Sequence, residues 1–85
     1  MEIILSPEAI EHIEYWKKNN NIAVQKRITT LKNAILISPY TGIGKPEPLK
    51  HELTGKWSRR INRKNRFVYA VEDNVLYIYS LKDHY

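Results

Sequence analysis

The sequence predicts an α+β fold: a short N-terminal strand and a two-helix hairpin packed on a twisted, mainly antiparallel β-sheet. Three observations predict it. Apolar residues recur at helical spacing between residues 9 and 35. They alternate with polar residues from residue 57 onward. Turn-forming clusters at Asn19-Asn20-Asn21, Ser38-Pro39 and Glu72-Asp73-Asn74 separate the runs. With 85 residues the chain is expected to form a single domain, residues 1–85, with a modest core.

Met1 to Leu5 reads as a short strand. Ser6 is a good N-cap, Pro7 suits the first helical position, and Glu8 suits the positive end of the helix dipole. Ala9, Ile13 and Trp16, with Ile10 alongside, form the apolar side of the first helix. The three asparagines break it and cap a second helix, whose stripe is Val24, Ile28, Leu31 and Ile35. Neither helix hides its stripe alone, so both must pack on the second half of the chain.

Residues 41–48 read as a Gly/Pro loop, Leu49 to Leu53 as a strand, and Thr54-Gly55 as a turn. Trp57 to Asn62, Phe67 to Val71 and Val75 to Leu81 complete an antiparallel meander. Trp57, Ile61, Phe67, Tyr69 and Val71 are the expected core face. A three-residue hairpin loop, Arg63-Lys64-Asn65, would pair Ile61 with Phe67 and put Asn65 at a left-handed position. It would also place Arg60 and Arg66 together on the solvent face. A two-residue loop would set Ile61 against Arg66 and drive a charge into the core.

Charge is unevenly placed on this chain of net charge +5. Residues 1–42 are nearly balanced, with five cations against four carboxylates. Residues 45–66 hold Lys45, Lys50, Lys56, Arg59, Arg60, Arg63, Lys64 and Arg66 against Glu47 and Glu52 alone. Such a concentration attracts polyanions, although a solvated basic face is the plainer reading of charge alone. There is no cysteine, which suits a reducing compartment. Only a three-residue apolar run, Ile3 to Leu5, precedes Ser6-Pro7, and no apolar stretch approaches the roughly 18 residues of a membrane span. A cytoplasmic protein with no membrane contact is expected.

The side chains narrow the chemistry further. No cysteine, paired histidines or carboxylate cluster occurs at ligand spacing, so no metal site and no cofactor is expected. Gly42 and Gly44 precede Pro46-Glu47-Pro48 rather than a helix, and no serine sits in a nucleophile elbow. His12 reads as a surface residue of the first helix, and His51 as a strand residue facing either way. His84 follows a long apolar strand that should anchor it. General acid–base chemistry on a phosphodiester remains. RNA supplies its own nucleophile, the 2′-hydroxyl. Glu47 could accept its proton, Lys50, Arg60 and Arg66 could hold the phosphate with Lys45 nearby, and His84 could protonate the leaving 5′ oxygen. Tyr85 could stack on a base or orient the histidine.

The segment Gly44-Lys45-Pro46-Glu47-Pro48-Leu49-Lys50-His51, then Trp57-Ser58-Arg59-Arg60-Ile61, Arg66 to Val71 and His84-Tyr85 resembles the YoeB/Txe toxins of bacterial type II toxin–antitoxin systems. Tyr15-Trp16 and the overall length extend the likeness along the whole chain. The resemblance implies a RelE-like fold and an mRNA endonuclease that works in the ribosomal A site of the 70S ribosome. By position it carries the base to Glu47, phosphate binding to Lys50, Arg60 and Arg66, the acid to His84 and the adjoining aromatic to Tyr85. It further implies a homodimer neutralised by a Phd/YefM-like antitoxin. Phe67 and Asp83 depart from the usual pattern, and neither removes a catalytic group. Two rival readings dispense with catalysis: a gyrase-inhibiting relative on the same scaffold, and a small RNA- or ribosome-binding module.

Overall fold

The computed structural model describes residues 1–83. His84 and Tyr85, the expected acid and its aromatic neighbour, lie outside the described residues. Chain order is β1 (Glu2–Leu5), α1 (Pro7–Lys18), α2 (Ile22–Ile37), β2 (Glu47–Pro48), β3 (Trp57–Arg60), β4 (Arg66–Glu72) and β5 (Val75–Ser80). The five strands form one sheet in the order β1-β5-β4-β3-β2. All neighbours are antiparallel except β1, which runs parallel to β5.

The helices begin where their caps dictate. Ser6 Oγ accepts from the Ala9 amide at 3.0 Å and itself donates to the Tyr79 carbonyl at 2.8 Å, so the cap also ties α1 to β5. Asn21 caps α2 by accepting from the Val24 amide at 3.1 Å. Ala9, Trp16, Val24, Leu31 and Ile35 are buried against Ile61, Phe67, Tyr69, Leu76, Ile78 and Leu81, with Ile13, Ile28, Trp57 and Val71 packed around them. Ile10 differs from expectation: it is 45% exposed, because it sits off the stripe that meets the sheet. At the far hairpin, Asp73 and Asn74 both take positive φ, 51° and 62°, between the paired residues Glu72 and Val75. That is the backbone a tight two-residue turn requires.

Two expected features are corrected. Leu49 to Leu53 is not a strand. The short strand lies earlier, at Glu47–Pro48, and His51–Leu53 is a 3₁₀ turn. His51 has φ 58°, which breaks an extended run, and its carbonyl accepts from both the amide and the hydroxyl of Thr54. The Leu53 amide likewise donates to the Lys50 carbonyl, so the turn takes up carbonyls that a ladder would need.

The β3–β4 hairpin is also wider than expected. Arg60 pairs directly with Arg66, Arg59 with Phe67 and Trp57 with Tyr69, leaving residues 61–65 as the loop. Asn62 Oδ1 accepts from the Lys64 amide, the Asn65 amide and Asn65 Nδ2, and the Asn65 carbonyl accepts from the Ile61 and Asn62 amides, closing this wider loop. Asn65 is not left-handed. The register shift is two residues, an even number, so every side chain keeps its expected face. Arg60 and Arg66 share the outer surface, as expected from alternation.

Candidate active site

Glu47 pairs with Ser58 across the β2–β3 ladder, and Arg60 lies two residues further along β3, opposite Arg66. Neighbouring strands are ~4.8 Å apart and alternate residues ~7 Å apart, so the two arginines stand one and two strands from the carboxylate. Paired residues point to the same face, which here is the face away from the helices. Glu47 is exposed, held between Pro46 and Pro48 on an edge strand where a missing amide costs no internal ladder bond. Lys45 and Lys50, both exposed, bracket this short segment. Among the described residues the one ion pair is Lys82–Asp83 at 3.4 Å, so no described carboxylate neutralises Lys45, Lys50, Arg60 or Arg66. The result is a basic surface with one carboxylate set into it.

The approach to the chain end is fixed from two sides. The Leu81 amide donates to His12 Nδ1 at 3.0 Å, and Trp16 Nε1 donates to the Leu81 carbonyl at 2.9 Å. Two residues on, the Asp83 amide donates to Asn65 Oδ1 at 2.7 Å, and the Arg66 amide donates to the Asp83 carbonyl at 2.8 Å. Residue 83 is therefore bonded to the backbone of Arg66. His12 is half-buried and structural rather than a free surface residue, since one helical turn of α1 presents it and Trp16 to the same residue, Leu81.

Arg59 is the residue that sequence reasoning missed. It is wholly buried, on the core face of β3 opposite Phe67. Its guanidinium donates to the carbonyls of Ser38 at 2.6 Å, Thr41 at 2.9 Å and Ile43 at 3.1 Å, and its Nε to Tyr69 Oη at 3.2 Å. Tyr69 Oη in turn donates to the Pro39 carbonyl at 2.6 Å. Burial pushes the Tyr69 phenol above its ordinary range, with the Arg59 charge and hydrogen bond opposing that rise. These bonds strap residues 38–43, the loop leading to Glu47, onto the sheet. Gly44 completes the strap. It has φ 83°, a Cβ there would lie 2.8 Å from Leu31 Cδ2 and 3.1 Å from Arg59 Cβ, and its carbonyl accepts from the Arg60 amide at 2.7 Å. The signal was present: the alternation that turns Trp57 and Ile61 inward turns Arg59 inward too.

Comparison with known proteins places the chain in a family and agrees with its fold. The family model for the YoeB-like toxin of bacterial type II toxin-antitoxin systems matches residues 5–85. The chain belongs to that family. Toxin YoeB of Escherichia coli K12 is 44% identical over 85 residues, covering all of both chains. The toxin in a YoeB–YefM complex from Staphylococcus aureus superposes with a TM-score of 0.90 at 45% identity, over all of this chain and 98% of that one. A YoeB dimer from the same organism gives 0.91 at 44% identity with the same coverage. A YoeB-like chain of this kind is a toxin–antitoxin endoribonuclease with a RelE-like fold. No helix among its described residues is long and apolar enough to cross a membrane.

Proposed function

We propose that this YoeB-like toxin cleaves mRNA in the A site of the 70S ribosome, by transesterification through the RNA's own 2′-hydroxyl. Glu47 takes the 2′ proton as the 2′ oxygen attacks phosphorus. Arg60 and Arg66, with Lys50 and Lys45 beside them, hold the phosphate and stabilise the added negative charge. The bond from phosphorus to the 5′ oxygen breaks, and His84 gives that oxygen a proton. The products are a 2′,3′-cyclic phosphate and a 5′-hydroxyl, with no net redox change. Tyr85 orients His84 or stacks on a base.

One observation carries the reading: the exposed carboxylate of Glu47 shares a sheet face with the directly paired Arg60 and Arg66. The bonds from Asp83 to Asn65 and Arg66 support His84 as the acid, since His84 is covalently next to the residue so anchored. A phosphate-binding module that cleaves nothing would have no use for a general base there. By similarity to the Staphylococcus aureus assemblies, the toxin works as a homodimer and is neutralised by a Phd/YefM-like antitoxin; its ribosomal target puts it in the cytoplasm.

Primer extension on a defined ribosome-bound message, with the fragment ends identified, tests the reading. The unmodified chain should cut, while Glu47→Ala and His84→Gln should cut on the order of a hundredfold more slowly. Equal cutting by all three would remove both role assignments, and products ending in a 3′-hydroxyl and a 5′-phosphate, which attack by water rather than by the 2′-hydroxyl leaves, would refute the mechanism.

A further inference from the structure

We propose that Tyr77, Tyr79 and Lys56 form a base-stacking subsite for the single-stranded RNA whose phosphate Arg60 and Arg66 hold, a proposal resting on the nuclease reading above. The outer face of the sheet is organised in rows. Arg60 and Arg66 make a cationic row. Next comes Glu47–Ser58–Val68–Ser80, one continuous row across four strands. The third row contains Ala70 paired with Tyr77. Successive rows lie ~7 Å apart, so the tyrosines stand about two rows from the arginines.

The floor between them is made of short side chains, Ser58, Val68, Ala70 and Ser80, all buried. At its edge β5 carries a bulge: Tyr69 pairs with Ile78 and Val68 with Ser80, so Tyr79 is the extra residue. A bulge re-aims the side chain it carries. Here the Tyr79 ring lies 6.5 Å from that of Tyr77, with planes 22° apart, and Lys56 Nζ stands 4.0 Å above the Tyr79 ring centre. All three side chains are only half-buried, and neither tyrosine belongs to the core cluster on the opposite face. Core packing therefore does not account for them.

Half-exposed aromatic rings beside a run of cations suit a nucleic-acid base, which offers a flat π-face next to a phosphate. A lysine over the ring strengthens the case, because it can meet a backbone phosphate while the ring meets the base. Charge favours RNA over a protein partner at this spot. On the sheet strands the carboxylates of this face are Glu47 itself, Glu72 and Glu2, and the last two lie at the hairpin end, both paired with Val75.

The test uses the full-length toxin and a short 2′-O-methyl oligonucleotide carrying 2-aminopurine, which lacks the 2′-hydroxyl and cannot be cut. Binding to the unmodified protein should quench the fluorescent base. Tyr79→Leu and Tyr77→Leu should each weaken binding about tenfold and reduce the quench, whereas Tyr79→Phe should bind within about twofold of wild type. In ribosome assays the leucine variants should raise KM and leave kcat within about twofold. Absence of quench in wild type, or undiminished binding by soluble, folded leucine variants, overturns the subsite. So does unchanged oligonucleotide binding accompanied by weaker antitoxin binding, which would assign the rings to a protein contact. Should the leucine variants fail to fold, the wild-type quench and the Tyr79→Phe affinity decide. Quench without cleavage by the unmodified toxin would refute the nuclease reading and leave the subsite standing; cleavage without quench would do the reverse.

Discussion

Two adjacent arginines on β3 meet opposite fates. Arg59 faces the helices, is fully buried, and spends its donors on three loop carbonyls and a tyrosine hydroxyl. Arg60 faces away, is exposed, and among the described residues has no carboxylate partner. The difference teaches that one cationic dipeptide can divide its labour, one residue holding a loop in place and the other presenting an open charge to solvent. A buried guanidinium is tolerable only when its donors are matched, and here the acceptors are neutral carbonyls of a loop with no ladder of its own. An unpaired exposed guanidinium remains available to an incoming phosphate.

The sharpest way to break this comparison is to remove the inner charge. Arg59→Met should destabilise the protein by about 3 kcal/mol or more in urea unfolding, since several buried acceptors lose their donor together. Arg59→Lys should recover only part of that loss, because three point-charge donors cannot reproduce the planar fork. The outer charge should behave oppositely. Arg60→Ala is expected to leave the urea midpoint unchanged and to slow message cleavage about a hundredfold, as for loss of one transition-state donor. A large stability loss for Arg60→Ala would place it with Arg59 as scaffold.

The smallest effect sharpens the inner network. Tyr69→Phe should cost about 1 kcal/mol at neutral pH, the worth of a hydrogen bond. It should also change the alkaline limb. Burial raises the folded-state pKa of Tyr69 above 10.0, so between the two values the unfolded chain releases a proton that the folded one keeps. The stabilisation is fully present below the unfolded value and fades as pH rises through the folded one. The difference in unfolding free energy between wild type and Tyr69→Phe should therefore shrink above about pH 10, and a constant difference would contradict the assigned cause.

Much of the architecture was legible because it depends on local rules. Ser6 and Asn21 announce their helices as caps, and the Val24–Ile35 stripe has a period that only a helix turns to one side. Arg60 and Arg66 were legible as face partners even though the hairpin loop was misjudged, since strand parity survives a two-residue slip. The 47–53 segment was not legible. Its alternation imitates a strand, but the left-handed backbone at His51 and the carbonyl that Thr54 occupies emerge only when the loop closes. Asn65 likewise looked like a turn residue, while its partner, the Asp83 amide, lies 18 residues away. His12 was read as a surface residue of its helix, whereas the Leu81 amide that it accepts from is 69 residues distant.

By itself the sequence determined the helical hairpin, the meander, the sheet face shared by Arg60 and Arg66 and the kinship of the chain. Those follow from spacing, caps and motif, which act over a few residues or along one strand. Only the tertiary structure decided that Arg59 straps the loop before Glu47, that Tyr79 sits in a bulge beneath Lys56, and that Asp83 is bonded to Arg66. Each of those rests on a donor and acceptor, or a charge and a ring, brought together by folding, and no local pattern encodes which distant group will be waiting.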